Sequence, residues 1–481
     1  MIATSFEPTV LRVPAIGLAA VLAALIVIPG VATVDAQVTE QMAVQVSAPL
    51  AGGVPGPAPD GPVSLTLQDA VARGLDHNLA VVLGREQVRL AAGAHDAVRS
   101  RAYPHLGAYL ADSRNVINLE AYGFPVPAGE SPLIGPFDVV DARATVAAPL
   151  VDLSLWADVR AASHGAEAAG ATLDDLRDQV VLAVSSLYLQ ASAAESRIVT
   201  AQAQVATARV LHEQAKDMKA AGVVADIEVL RTEVQLAAER ERLIIAENDA
   251  ATSKLALARA IGLPLDSRLI LRGQLEYSPP PAIDLEEALQ QAFGQRNDYR
   301  SAQASVAAAE AAAAAARKTA LPSLEMQANW GKIGPDVDSA LTTYTVGAMV
   351  RVPLYTGGAI HARKLTADAS LADRQARLAD LAARIEYEVR SALLDLAAAD
   401  QRTEVARDAV HLAESQLTQA QDRFSAGVAD GVEVVQAQQA AATAHDNHIA
   451  SLLADNLAKV RLARALGVAA EGLDRFLGGS S

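Results

Sequence analysis

His445 and His448 are the side chains whose type and spacing come nearest to a metal site. They stand three positions apart in a stretch with helical periodicity, a spacing that can place two imidazoles on one metal ion. A protein zinc site needs at least a third ligand, and the chain offers no cysteine and no third ligand nearby. Asp336 and Asp338 are a similarly weak calcium pattern. We therefore expect the histidines on an exposed helix face, the aspartates in a solvated turn, and no metal or other cofactor.

Sequence patterns for catalysis are also missing. The chain shows no glycine-rich phosphate loop, no serine, histidine and aspartate in a recognisable frame, and no paired-carboxylate site. Its 481 residues carry 40 Lys and Arg against 56 Asp and Glu, a formal net charge of −16, and no basic stripe that would bind phosphates. Both an enzyme and a nucleic-acid-binding protein are disfavoured, so the function must come from the architecture.

The chain contains its own pattern twice. Two gapless overlays define the repeat, residues 67–106 on 285–324 and residues 171–262 on 376–467. The second overlay pairs Gly222 with Gly427 and Glu228 with Glu433. Hydrophobic residues make up 51% of the chain but aromatic residues only 4%, and this alanine-rich composition favours long helices. A duplication of this length predicts one supersecondary unit used twice.

Domain boundaries follow from the repeat and from the segments around it. We predict a signal peptide at 1–36, a flexible leader at 37–63, repeat 1 at 64–277, a linker at 278–284, repeat 2 at 285–467 and a C-terminal tail at 468–481. The signal peptide is indicated by Arg12 before the apolar stretch Val13–Ala32, and a retained anchor is the alternative. No later segment is apolar for ~18 residues, so we expect no transmembrane helix in the mature chain.

Each repeat holds two segments in which apolar and polar residues alternate. We predict strands at about 104–113, 139–149, 322–331 and 343–353. The apolar positions include Leu106, Ala108, Leu110, Ala142, Ala144, Val146, Met326, Ala328, Trp330, Val346 and Val350, and the polar positions include Asp141, Arg143, Thr145, Glu325, Gln327, Asn329 and Arg351. This alternation fits a water-filled transmembrane barrel and equally a soluble sheet with one wet face. The extra residues of repeat 1, about 115–138, are predicted to form an extracellular loop longer than the matching loop of repeat 2.

Helical periodicity covers most of the remaining chain. Each repeat has a leading helix (roughly 67–101 and 285–319), a long helix (about 154–221 and 359–426) and a return helix (about 226–261 and 431–466). Gly222 and Gly427 end the long helices, since glycine tolerates the positive φ of a helix C-terminus. Leading and return helices together match the long one, which predicts a rod with four strands at one end. Four strands cannot close a barrel, so the chain must oligomerise if its strands enter a membrane.

Four stretches in this order carry a family resemblance. They are LTLQDAV at 65–71, VPLYTGG at 352–358, RFSAGVADGVEVVQAQ at 423–438 and LARALG at 462–467. With the duplication, they resemble the TolC-like outer-membrane factors over about residues 64–467. The resemblance implies a mainly α fold with a β-barrel part. It further implies a trimer, whose twelve strands form one outer-membrane β-barrel that a periplasmic α-helical barrel continues.

The resemblance also implies a function. The chain would be the passive exit duct of a tripartite efflux pump or a type I secretion system in the outer membrane of a Gram-negative cell. Its partners would be outer-membrane lipid, a periplasmic adaptor (a membrane fusion protein) and an inner-membrane transporter. The alternative that the residues leave open is a structural periplasmic or surface coiled-coil scaffold without a channel.

Site residues are likewise implied by the family. In TolC-like proteins the helical turns close the tunnel, and acidic side chains there form a cation-attracting constriction. The matching residues are Glu433 and Glu228, with Asp430 and Asp226 nearby and Gln436 where a second acidic ring would stand. The alternative is that these acids only complement a helix dipole.

The turns that meet the adaptor correspond to Gly222, Val223, Gly427, Val428 and Ala429. Ala429 stands where some family members have an arginine that pins the closed turn. The resemblance therefore predicts a gate that is held either by other contacts or more weakly.

Overall fold

A computed structural model describes residues 50–57, 61–127, 129–273, 275–429 and 431–477. The predicted signal peptide at 1–36 and residues 37–49 of the predicted leader lie outside the described residues. Asp430 lies outside them as well.

The first repeat is built from four helices and four strands. In chain order they are β1 (Val63–Leu65), α1 (Leu67–His77), α2 (Leu79–Ser100), β2 (His105–Asn118), β3 (Leu133–Val151), α3 (Leu153–Ala220), α4 (Asp226–Ala260) and β4 (Leu269–Leu271). The second repeat has the same plan without the small strands. Its elements are α5 (Leu285–Gln295), α6 (Asn297–Lys318), β5 (Ser323–Gly334), β6 (Leu341–Arg351), α7 (Ala359–Ser425) and α8 (Gly431–Ala465), followed by α9 (Ala469–Leu477).

The leading helix of each repeat is broken, and the prediction of a single helix was wrong. Asn78 separates α1 from α2 with ψ of 135°, and its buried side chain replaces the lost helical hydrogen bonds. The amide nitrogen donates to the carbonyls of Leu50 (2.8 Å) and Ala260 (3.0 Å), while Oδ1 accepts from the N–H of Ala80. Arg296 takes the corresponding place between α5 and α6. The spacing of apolar residues does not reveal such a break, because it depends on a polar side chain that makes hydrogen bonds in place of helical backbone groups.

Four strands form one antiparallel sheet in the order β2-β3-β5-β6. The register keeps the predicted faces together, since Leu106 lies opposite Val146, Val146 opposite Ala328, and Ala328 opposite Val346. In the half of the sheet nearer the helices, one face is therefore apolar and the other collects the odd-numbered polar residues, while Asp112 and Lys332 lie on the even-numbered face farther from the helices. Within the described residues, no helix is long and apolar enough to cross a membrane.

The first two strands extend well into the predicted loop at 115–138. β2 continues to Asn118 and β3 begins at Leu133, with only a short 3-10 turn at Glu120–Tyr122 between them. The pairing shifts register between Asn115 and Ile117. Such a bulge interrupts the period of two, which is why the alternation does not reveal the outer parts of these strands.

The long helices organise the rest of the fold. α3 has 68 residues and α7 has 67, so each is about 100 Å long at ~1.5 Å per residue. Nearer the sheet, α2 packs on α3, α3 on α6, and α6 on α7. Nearer the turns, the order across the layer is α4, α3, α8, α7. The two repeats thus form one curved layer, with α4 and α7 at its edges in the half near the turns.

Two apolar clusters lie midway along the helices. One joins α1, α2, α3 and the end of α4 around Val81, Val184 and Leu257. The other joins α5, α7 and α8 around Ile385, Val389 and Leu462. Close to the turns the apolar packing is sparser, with small clusters around Phe424 and around Leu236.

The described parts of the predicted leader and tail pack against the repeats. In the predicted flexible leader, Val63 pairs with Leu269 in a parallel β1-β4 ladder. A Cβ at Gly53 would lie 2.5 Å from the backbone of Gly262, so only glycine fits this close approach. The predicted tail holds α9, whose Phe476 is buried in the cluster of α5, α7 and α8. Glycine-rich and short segments show no helix or strand periodicity, so this packing could not be predicted from the sequence.

Candidate gate at the helical turns

The turns that join the long helices to the return helices have the same backbone. Gly222 has φ of 74° and Gly427 has φ of 72°. In the first turn Gly222 donates to the carbonyl of Lys219 and Val223 donates to that of Met218, each at 2.9 Å. Gly427 and Val428 repeat this pattern on Phe424 and Arg423. Glycine is favoured there because a Cβ destabilises this left-handed conformation.

Both turns expose the residues predicted to meet an adaptor. Val223 and Val428 are largely exposed large apolar side chains at a helix end. Gly222 and Gly427 are exposed as well, and Ala429 is partly exposed. These residues therefore form an accessible tip.

Glu228 links the two turns. Its Oε2 accepts a hydrogen bond from the N–H of Gly431 at 3.2 Å, and its Oε1 pairs with Arg231 on the same helix. A Cβ at position 431 would lie 2.4 Å from that Oε2, so a side chain there would shift the end of Glu228. The side chain of Glu228 is only 15% exposed. Because the N–H of Gly431 is the first of α8, the carboxylate also lies at the positive end of that helix.

Glu433 has a different environment although it matches Glu228 in the overlay. Its Oε1 lies 3.1 Å from Nη1 of Arg423, at the end of the preceding helix α7. The side chain is 40% exposed. This ion pair lies within the second turn.

The remaining predicted constriction residues lie at the surface of the tip. Asp226 is exposed and pairs with Lys219. Gln436 is exposed on α8. The structure therefore brings Glu228 to the second turn and does not bury Asp226 or Gln436 in any contact between the turns.

Sequence reasoning missed the basic partners Lys219, Arg231 and Arg423. Lys219 and Arg423 lie in the last turns of α3 and α7, where a cation complements the helix dipole. Each is followed by acids in the first turn of the next helix. That pairing of basic ends with acidic starts is the signal that could have identified them.

Above the turns, polar side chains are buried between the helices. Glu239 is almost fully buried and accepts from Gln235 at 2.6 Å and from Arg242 at 2.9 Å. Gln438 is fully buried and donates to the carbonyl of Gln204 at 3.3 Å. Hydrogen-bonded contacts of this kind replace the apolar packing seen farther along the helices.

The histidine pair is not on an exposed helix face, so that prediction was wrong. Nε2 of His445 lies 3.0 Å from Glu414 of α7. His448 is partly buried, and this burial lowers the pKa of its imidazole. His445 therefore contacts α7, and the charge of Arg407 on α7 also lowers the pKa of His448. Among the described residues there is no group of three or more side chains arranged to hold a metal ion.

Comparison with known proteins identifies the family. The family described as "Outer membrane efflux protein" matches residues 72–263 and 288–468. The pyoverdine export outer membrane protein OpmQ of Pseudomonas aeruginosa is 26% identical over 302 residues, which are 59% of this chain and 60% of that protein. The match therefore spans less than two thirds of the curated relative.

Solved outer-membrane channels share the fold. The Campylobacter jejuni channel CmeC has a TM-score of 0.73 at 16% identity, covering 84% of this chain and 86% of that one. VceC of Vibrio cholerae has a TM-score of 0.72 at 18% identity, covering 83% and 96%. MtrE of Neisseria gonorrhoeae, in its open state, has a TM-score of 0.72 at 18% identity, covering 84% and 89%. These likenesses confirm the predicted mainly helical, TolC-like fold, and with the family match they show that the chain belongs to the outer membrane efflux protein family.

Proposed function

We propose that this outer membrane efflux protein is the passive exit duct of a tripartite efflux pump. Three copies would close a 12-stranded barrel in the outer membrane, continued by a helical tunnel in the periplasm. The observation that carries the proposal is that the sheet and the helical layer both end in open edges suited to another copy.

The sheet has two such edges. Among the described strands, β2 pairs only with β3 and β6 pairs only with β5. An unpaired edge is not viable in lipid, where its N–H and C=O groups find no water. Pairing of β6 of one copy with β2 of the next, repeated three times, removes every edge. The apolar face would then meet lipid and the polar face would line the lumen.

The helical layer has edges with matching apolar stripes. α4 exposes Ile227, Val234 and Ile245, and α7 exposes Leu394, Val405 and Leu412. Spacings of seven and eleven residues keep each set on one helix face. Ile245 and Val405 lie at similar distances along the chain from their turn glycines. Docking α4 of one copy on α7 of the next would bury both stripes in a coiled-coil-like seam.

The turns would form the gate at the periplasmic end of this tunnel. Glu228 holds α8 to the first turn, in place of the arginine absent at Ala429. Glu433, with Asp226 and Gln436 at the rim, would give the narrow opening its preference for cations. The exposed valines of the turns would meet the adaptor, which connects the duct to the inner-membrane transporter.

Engineered cysteines test the assembly without background, since the chain has no cysteine of its own. A protein with Ile245→Cys and Val405→Cys should give covalent trimers on mild oxidation in detergent. A control with Val199→Cys and Val405→Cys should not, because Val199 lies on α3, which is not an edge helix. The proposal would be contradicted if the oxidised double-cysteine protein gave no covalent trimer and its mass in detergent also showed no trimer.

A further inference from the structure

The polar face of the sheet carries its acids and bases as ion pairs. Asp141 and Arg143 are paired on β3, with Nε of Arg143 lying 2.6 Å from Oδ1 of Asp141. Nearer the helices, Nη1 of Arg351 on β6 lies 3.4 Å from Oε1 of Glu325 on β5. All four residues have odd numbers and share the face that also holds Thr145, Gln327 and Asn329.

The Asp141–Arg143 pair is fixed in place by three strands. Nε of Arg143 contacts both carboxylate oxygens (2.6 and 2.9 Å), and Nη1 donates to Oδ1 of Asn329 on β5 at 3.0 Å. The hydroxyl of Tyr109 on β2 donates to Asp141 at 3.2 Å. The side chains of Arg143 and Asp141 are only 17% and 19% exposed, on a sheet whose side chains are mostly exposed.

Gly331 provides the space for this arrangement. It lies opposite Arg143 on β5, and a Cβ there would be 2.6 Å from Cγ of Arg143 and 2.1 Å from the carbonyl oxygen of Ala142. The arginine therefore lies across a glycine to reach Asn329. A side chain at position 331 would push the guanidinium away from its carboxylate and toward the solvent.

A charge on the wall of a water-filled pore acts on every ion that passes. Three copies of an uncompensated Arg143 would attract anions, and three copies of an uncompensated Asp141 would attract cations. A fixed pair cancels both effects a few ångströms from the wall. Cross-strand fastening alone does not require charges, because neutral hydrogen-bonding side chains such as Thr145 and Asn329 occupy neighbouring places on this face.

We propose that the Asp141–Arg143 pair keeps the inner wall of the outer-membrane barrel charge-neutral, so that this part of the duct passes anionic and cationic solutes alike. The inference rests on the proposed function, which places this face in the lumen. It assigns charge selection to the acidic turns and removes it from the barrel.

Reversal potentials across planar bilayers test the inference. The salt is kept near 10 mM, where the Debye length is about 30 Å and wall charges act across the pore. Asp141→Asn should shift the cation-to-anion permeability ratio about fivefold toward anions, and Arg143→Gln about fivefold toward cations. The double variant should return to the wild-type ratio, and at about 1 M salt, with a Debye length near 3 Å, the shifts should vanish.

Arg143→Lys separates charge balance from fastening. Lysine keeps the charge but cannot reproduce the forked contacts, so it should retain the wild-type permeability ratio. A ratio like that of Arg143→Gln would overturn the inference and leave a structural contact. The inference would also be overturned if the wild-type channel conducts and neither Asp141→Asn nor Arg143→Gln changes its permeability ratio. A wild-type protein that does not conduct would instead reject the proposed function.

Discussion

The two helical turns of this chain share a backbone but differ in what their acids do. Each turn ends a long helix with a positive-φ glycine and the same pair of hydrogen bonds. Glu228 and Glu433 occupy matching positions after those glycines. Glu228 is enclosed and bonded to the opposite turn, whereas Glu433 is more exposed and bonded within its own turn.

The difference comes from the residue that opens each return helix. α4 begins with Asp226, whose side chain points outward to Lys219, and α8 begins with Gly431, which has none. Gly431 carries no side chain, and a Cβ there would shift the Glu228 carboxylate from its place at this N–H. A duplicated unit has thus kept its turn geometry, while the residue that opens the return helix changes which contacts the matching acids make.

The largest effect is expected from Glu228→Ala. This change leaves the first N–H of α8 without its carboxylate and Arg231 without its partner, which should destabilise the start of α8 by about 2 kcal/mol, or roughly thirtyfold in opening. Hydrogen exchange of peptides covering residues 427–435 measures it. Glu433→Ala is the matched control, and equal acceleration in both variants would remove the distinction between the turns.

Replacing the turn glycines should give a smaller effect that is equal in the two repeats. Gly222→Ala and Gly427→Ala each force a Cβ into the left-handed region, at about 1 kcal/mol apiece. Thermal unfolding of the purified protein compares them. A large inequality would show that the shared backbone does not govern the stability of the turns.

The exposed pair of the second turn should affect ion selection more than stability. Glu433→Gln should lower the cation preference of the channel and Arg423→Gln should raise it, each by about twofold, because one removes the acid and the other its neutralising partner. Stability should change by less than about 1 kcal/mol. Bilayer reversal potentials decide this, and shifts of the same sign would contradict the role of Glu433 in the constriction.

The smallest effect is expected from Asp226→Ala. Asp226 is exposed, and its ion pair with Lys219 is of the surface type, so its removal should change stability by less than about 0.5 kcal/mol. The variant serves as the counterpart of Gly431→Ala, which should displace Glu228 and accelerate exchange at the start of α8. If Asp226→Ala accelerated exchange more than Gly431→Ala, the contact between Glu228 and Gly431 would not be the one that holds the two turns together.

Period and duplication predict much of this fold. The alternation at 106–110 and 324–330 predicts which residues share a sheet face, and the register joins those residues across all four strands. The breaks at Asn78 and Arg296 are not predictable in this way, because they depend on side-chain contacts with distant segments. The bulge after Asn115 is hidden for a related reason, since one extra residue reverses the alternation.

The candidate site is predictable only in part. The turn glycines and the acids after them are visible in the overlay of the repeats. The contact between Glu228 and Gly431 joins residues about two hundred positions apart, and no local pattern specifies it. Its one trace is that Gly431 stands where the first repeat has Asp226, at one of four consecutive positions that differ between the matched glycines and the matched glutamates.

Single-channel conductance of detergent-purified trimers in planar bilayers tests the central claim most directly, with wild type and Glu228→Ala measured side by side. A duct closed by contacts between its turns predicts small wild-type openings and clearly larger ones in Glu228→Ala, with Glu433→Ala resembling wild type in size. Trimers that do not conduct, or a Glu228→Ala channel no larger than wild type, would contradict it.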